Sequence, residues 1–129
     1  MHLPLLFLGA LSAAVAVAVG GARAHVLANR LAPARLTMLE VGMRYHLAHA
    51  TAMILVALML AHLHHPLIPA AGWGFALGTL LFPGLLYIYA FTGHASLLKL
   101  SAIGGVLFVL SWVGLALGIV LNGPVSAAG

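Results

Sequence analysis

Residues Leu31–Ala50 read LAPARLTMLEVGMRYHLAHA. This stretch holds the only carboxylate of the chain, Glu40, and two of its eight histidines, His46 and His49. With Arg30 just before it, it also holds three of the five basic residues, Arg30, Arg35 and Arg44. Nearly everything on either side is hydrocarbon. One polar zone therefore enters the second of a series of apolar spans, and the fold is read outward from it.

Of 129 residues, 64% are hydrophobic and 5% are charged, against roughly 25% charged in soluble domains. The mean hydropathy of +1.21 makes a bilayer the main solvent. A spanning helix takes about 20 apolar residues, so the length allows four spans and no separate soluble domain. Lacking cysteine, the chain has no disulfide, thiolate metal site or cysteine nucleophile. The formal charge of +4 comes without a basic cluster interleaved with aromatics, which argues against nucleic acid as a partner.

Span one is expected at about 3–20, LPLLFLGALSAAVAVAVG. Ala22-Arg23-Ala24 imitates a signal-peptidase site, but no positive stretch precedes the apolar run, so a retained helix is expected. Its alanines and glycines suit close helix contact. His25 to Leu31 reads as a short polar connection. Pro33 fits the first turn of a helix, and no breaker follows until about His64, a length of about 45 Å. That exceeds a hydrocarbon core of about 30 Å, so Pro33–Arg44 is expected at the interface and span two at about 45–63.

Pro66 ends that helix, and the loop His62–Gly72 reverses the chain. Spans three and four are expected at about 73–92 and 100–121, separated by Gly93-His94-Ala95-Ser96. Pro83 should kink span three. Arg23, Arg30, Arg35 and Arg44 flank the first connection and Lys99 the third, which puts those two loops in the cytoplasm and both termini outside. The pairs Gly74/Gly78 and Gly114/Gly118 are expected to form a tight seam between spans three and four.

Each polar group has a plain and a sharper reading. Glu40 and Arg44 are four apart, in the favourable order for a helix ion pair. The sharper reading makes Glu40 the proton site of a small transporter, although such transporters carry their acid in span one, which here has no ionisable group. His49 lies about 6 Å deeper than Tyr45 on the same face, inside the expected hydrocarbon. A neutral imidazole bonded to a backbone carbonyl or hydroxyl of a neighbouring helix is one reading; a functional site is the other. Haem ligation by His46 or His49 would require an opposing histidine, and only His25 and His94 are on that side. His62, His64 and His65 cluster at the opposite end, but no carboxylate or cysteine completes a metal site. Trp73 suits an aromatic belt and Trp112 helix packing. No residues are present for hydrolytic or phosphoryl chemistry.

The segment Arg30–Ala50 resembles the YgdD/transmembrane protein 256 family of small membrane proteins, a domain of unknown function. The resemblance rests on Ala24, His25, Leu27, Pro33, Glu40, Arg44, Tyr45, His49 and Ala50. It continues at Leu81, Phe82, Gly84, Leu86, Tyr87, Thr92, Gly93 and Gly104-Gly105. Arg23 stands where the family pattern has a small residue, His46 where it has glutamine, and Pro83 and Leu85 where it has serines. The resemblance implies a four-helix inner-membrane protein and no particular activity.

The expectation is an all-α four-transmembrane-helix bundle with an interfacial N-terminal extension of helix two. The leading functional reading is a non-catalytic accessory or scaffold subunit, without cofactor or metal, associating with lipids or a larger membrane complex. A haem b or quinone redox anchor and a Glu40 transporter are the alternatives. His25, Glu40, Arg44, Tyr45, His49, Tyr87 and His94 all fall on the arginine-bearing side and are expected to form one polar cluster.

Overall fold

The computed structural model describes residues 1–124, which are helical throughout apart from short turns. The elements are α1 (Leu3–Ala22), continued by a π-helical turn (Arg23–Leu27), α2 (Pro33–Met59), α3 (Leu67–Leu81), α4 (Pro83–Thr92) and α5 (Ser96–Leu121). Four rods, 3–27, 33–59, 67–92 and 96–121, are each long and apolar enough to cross a membrane. Their outward surfaces are hydrocarbon: Leu80 and Val120 are 70% and 77% exposed. In water such a surface would drive aggregation, whereas in a bilayer it faces its own kind.

The first rod runs past the expected polar connection at His25. Arg23–Leu27 continues it as a wider turn, and the reversal falls between Ala28 and Ala32. Leu5, Gly9 and Ala16 form its buried stripe. A β-carbon on Gly9 would lie 2.7 Å from Ile54 Cγ1 and 3.0 Å from the Ala50 carbonyl, so glycine permits near-backbone contact with α2. Ala10, Ala14 and Ala18 face outward instead. The His2 amide donates to the Ala57 carbonyl at 3.1 Å, which ties the start of the chain to the far end of α2.

Helix α2 begins at Pro33, as the sequence suggests, but ends at Met59 rather than near His64. The Met59 carbonyl accepts from both His62 and Leu63 at 2.9 Å, which closes the ladder with a tighter turn. The amides of His64 and His65 then donate to the Asn122 side chain, at 2.7 and 3.1 Å, instead of to helical carbonyls. Helix α3 starts at Leu67, six residues before Trp73, because Pro69 falls within its first turn, where a missing N–H removes no helical bond.

The break expected at Pro83 is present. Phe82 (φ −98°, ψ −77°) separates α3 from α4, and Pro83 opens α4. Helix α5 crosses at this point through Gly104. A β-carbon there would sit 2.5 Å from the Phe82 nitrogen and 2.7 Å from the Leu81 carbonyl carbon. Two intimate pairs result, α1 with α2 and α3 with α5, and α2 joins them by packing on α3 and α4. Phe75, Met53, Val56, Ile68 and Phe108 fill the middle. By contrast, α1 touches α3 little, and the backbones of α2 and α5 do not approach each other.

Candidate binding crevice and polar clusters

The polar residues that share the arginine-bearing side separate into three groups because they leave α2 in different directions. The first surrounds Glu40. Arg44 Nη2 donates to Oε1 and Arg23 Nη2 to Oε2, both at 2.6 Å, and Arg23 Nε reaches the Leu36 carbonyl at 3.4 Å. The side chains are only partly covered, 31% exposed for Glu40, 32% for Arg23 and 73% for Arg44. One carboxylate held by two guanidiniums is a structural clasp between the end of the first rod and α2. The spacing within α2 foretells the Arg44 bond. The Arg23 bond depends on how two helices face each other, which residue spacing does not carry.

The second group surrounds His49, which is 5% exposed. Its Nδ1–H donates to the Tyr45 carbonyl at 2.7 Å, and its Nε2 accepts from Trp112 Nε1–H at 3.1 Å. An indole N–H only donates, so Nε2 is the acceptor and the ring is the neutral Nδ1–H form. The ring lies flat on Phe108, centroids 3.5 Å apart and planes 7° apart. Tyr45 stacks at 6.1 Å on its own helix and meets Phe82 edge-on at 4.9 Å. These rings fill the interval between α2 and α5 that the backbones leave open. The carbonyl partner is one of the two foreseen possibilities, although it comes from His49's own helix. With both nitrogens engaged, His49 offers no ligand to a haem iron.

The third group was not foreseen as a unit. His46, 6% exposed, bonds through Nε2 to Ser12 Oγ at 2.7 Å and through Nδ1 to Tyr87 Oη at 2.9 Å. It therefore joins α1, α2 and α4. Gly42, one turn earlier on α2, makes this possible: a β-carbon there would lie 2.9 Å from Tyr87 Cε1, so the phenol ring lies across α2 over glycine. A polar residue in the otherwise apolar span one was the available signal, but Ser12 alone does not identify its partner.

This trio borders a crevice of about 570 Å³ between α1 and the α3–α4 rod. Leu8, Leu11 and Val15 line one wall, and Trp73, Leu77 and Leu80 the other. Ser12, His46 and Tyr87 supply polar atoms at one place in a lining that is otherwise almost wholly apolar, as ligand sites commonly do. Thr79 also lines it, but its hydroxyl donates to the Phe75 carbonyl at 2.8 Å.

The expected single cluster is therefore corrected. Glu40 and Arg44 belong with Arg23, Tyr45 and His49 with the aromatic stack, and Tyr87 with His46. His25, on the π-helical turn, and His94, beyond α4, are exposed, and among the described residues neither side chain hydrogen-bonds. Three of the four glycines expected in the seam between spans three and four lie against the facing helix. Gly74 meets the Ser111 side chain, Gly78 the Phe108 ring, and Gly118 Ile68 and Leu67, whereas Gly114 has no neighbour within 4 Å of a β-carbon position. Gly114 instead borders a small cleft of about 200 Å³ with Gly74 and Ser111. Among the described residues no group of three or more histidines and carboxylates converges; the Asn122 tether places His64 and His65, and the His62 amide bonds the Met59 carbonyl.

Comparison with known proteins gives the lineage. A family described as "Protein of unknown function (DUF423)" matches residues 19–105. A UPF0382 membrane protein of Haemophilus influenzae is 35% identical over 114 residues, covering 88% of this chain and 90% of its own. The UPF0382 membrane protein YwdK of Bacillus subtilis is 34% identical over 109 residues, 84% of this chain and 89% of its own. The UPF0382 inner membrane protein YgdD of Escherichia coli is 28% identical over 108 residues, 84% and 82%. No solved structure matches the chain. The motifs around Glu40, Tyr87 and Gly104 and these matches agree: the chain belongs to the DUF423 family of membrane proteins, of which YgdD is a relative.

Proposed function

We propose that the protein is a non-catalytic accessory subunit of a larger assembly in the inner membrane, with its arginine-bearing side in the cytoplasm and both termini outside. The carrying observation is that Glu40 and His49 are held by groups of the protein itself. Glu40 is clasped by Arg23 and Arg44, and both His49 nitrogens are bonded. Among the described residues no buried side-chain nitrogen or oxygen lacks a partner. A carrier site on Glu40 would need the carboxylate to exchange its partners each cycle, against two arginines held at 2.6 Å. The unbroken apolar faces of α1 and α5, including Phe7, Val17, Val113 and Val120, leave wide surface for a neighbouring subunit or lipid.

Native mass spectrometry of the untagged protein from mild detergent tests this reading. A stoichiometric complex with a larger membrane protein is expected. A bare chain, or a chain carrying haem, contradicts it. Orientation is checked separately, since the chain has no cysteine of its own. A cysteine at Asn29 should be shielded from an impermeant maleimide in intact cells, and one at Ala61 labelled.

A further inference from the structure

The hydrogen bonds around His46 leave one hydrogen without a protein acceptor. Six other helical hydroxyls, those of Thr37, Thr51, Thr79, Thr92, Ser101 and Ser111, donate to a carbonyl three or four residues back. Ser12 makes no such bond among the described residues; its partner is His46 Nε2 at 2.7 Å. The second partner is Tyr87 Oη, 2.9 Å from Nδ1. A neutral imidazole has one ring proton for its two hydroxyl partners, so it accepts from one and donates to the other. The hydroxyl that accepts from the ring keeps its own hydrogen free, and Ser12 and Tyr87 both line the crevice.

We propose that Ser12 donates to Nε2, so that the free hydrogen is that of the Tyr87 phenol, and that the crevice binds an isoprenoid quinone, with a quinone carbonyl accepting from Tyr87 Oη–H and the tail lying between α1 and α3. Four observations select this occupant. The hydrogen-bonding side chains of the lining, Ser12, His46, Trp73, Thr79 and Tyr87, carry no carboxylate, guanidinium or ammonium, and none of the five cations lines the crevice, so a phosphate headgroup finds no charged counterpart. The leftover group is a donor, which calls for an acceptor such as a carbonyl. The Tyr87 and His46 rings, 5.7 Å apart, give the polar end aromatic walls for a planar head. From Tyr87 to Trp73 the lining runs 14 residues along the α3–α4 rod, about 20 Å of apolar wall for a tail. Because α1 scarcely touches α3, the guest enters sideways from the bilayer. No electron transfer is part of this inference, and it is independent of the accessory role.

The test is equilibrium binding of decylubiquinone to the purified chain in phosphatidylcholine nanodiscs, beside decylbenzene, which has the tail and no carbonyl. Tyr87→Phe removes the donor and keeps the ring. It is expected to weaken decylubiquinone about tenfold, the effect of one good hydrogen bond, and to leave decylbenzene unchanged. Ser12→Ala frees Nε2, lets the imidazole change tautomer and accept from Tyr87, and is expected to weaken decylubiquinone similarly. Leu80→Trp, at a position 70% exposed and therefore tolerant of size, should obstruct both probes. Equal decylubiquinone affinity in wild type and Tyr87→Phe overturns the proposal. So does a crevice that keeps phospholipid and admits no decylubiquinone.

Discussion

Two histidines three residues apart on α2 occupy opposite situations. His49 lies where α2 and α5 stay apart, and the protein fills that interval with Phe108, Trp112 and Tyr45. His46 lies where α1 and α3 stay apart, and there the protein leaves about 570 Å³ open. Both imidazoles use both nitrogens. They differ in where the chain of bonds ends. For His49 it ends on an indole and a backbone carbonyl, groups with nothing further to offer. For His46 it ends on two hydroxyls, one of which still holds a hydrogen. Burial alone, 5% against 6% exposed, does not separate the two; the far end of each network does.

The largest expected effect falls on the filled side. His49→Ala removes a ring stacked flat on Phe108 and strands the Trp112 N–H, and should lower unfolding stability by about 3 kcal/mol, chiefly through lost packing. Thermal unfolding in mild detergent measures it. A loss under about 1 kcal/mol would mean that the interval between α2 and α5 is held by something else. Next is Gly104→Ala, one turn from Phe108, whose new methyl would meet the backbone at Leu81–Phe82. About 2 kcal/mol is expected from overpacking, read by the same assay.

On the open side His46→Ala should cost about 1 kcal/mol, because the ring borders a crevice and intramembrane hydrogen bonds average about 0.6 kcal/mol. If it matched His49→Ala, the contrast between the two sites would be lost. Glu40→Gln, at the partly exposed clasp, is expected to cost about 1 kcal/mol or less, and less again at high salt. Gly114→Ala, with no neighbour within 4 Å, should change stability by less than about 0.5 kcal/mol.

Local chemistry made much of this fold readable before any coordinates. Apolar length gave the rods, Pro83 the break in the third, Pro33 the start of α2, and the i, i+4 spacing the Glu40–Arg44 pair. The ends of helices were less readable. Met59 ends α2 because Asn122, 57 and 58 residues along the chain, holds the next amides, and no local signal carries that. The site was least readable. Arg23–Glu40, Ser12–His46 and His46–Tyr87 each depend on the rotation of one helix against another. In a chain this apolar every face looks alike, so rotation leaves little trace in residue type. Gly42 marks the approach of Tyr87, but a glycine at a helix contact does not name what lies against it.

The difference between the two histidines is open to one direct measurement: ring ¹⁵N NMR of selectively labelled histidine as decylubiquinone is added to the protein in nanodiscs. Both rings should begin as neutral Nδ1–H tautomers. The His46 nitrogens should then shift saturably, while those of His49 stay fixed. Movement of His49 with His46 unchanged, or no saturable shift at either, would contradict a filled site beside one that awaits a guest.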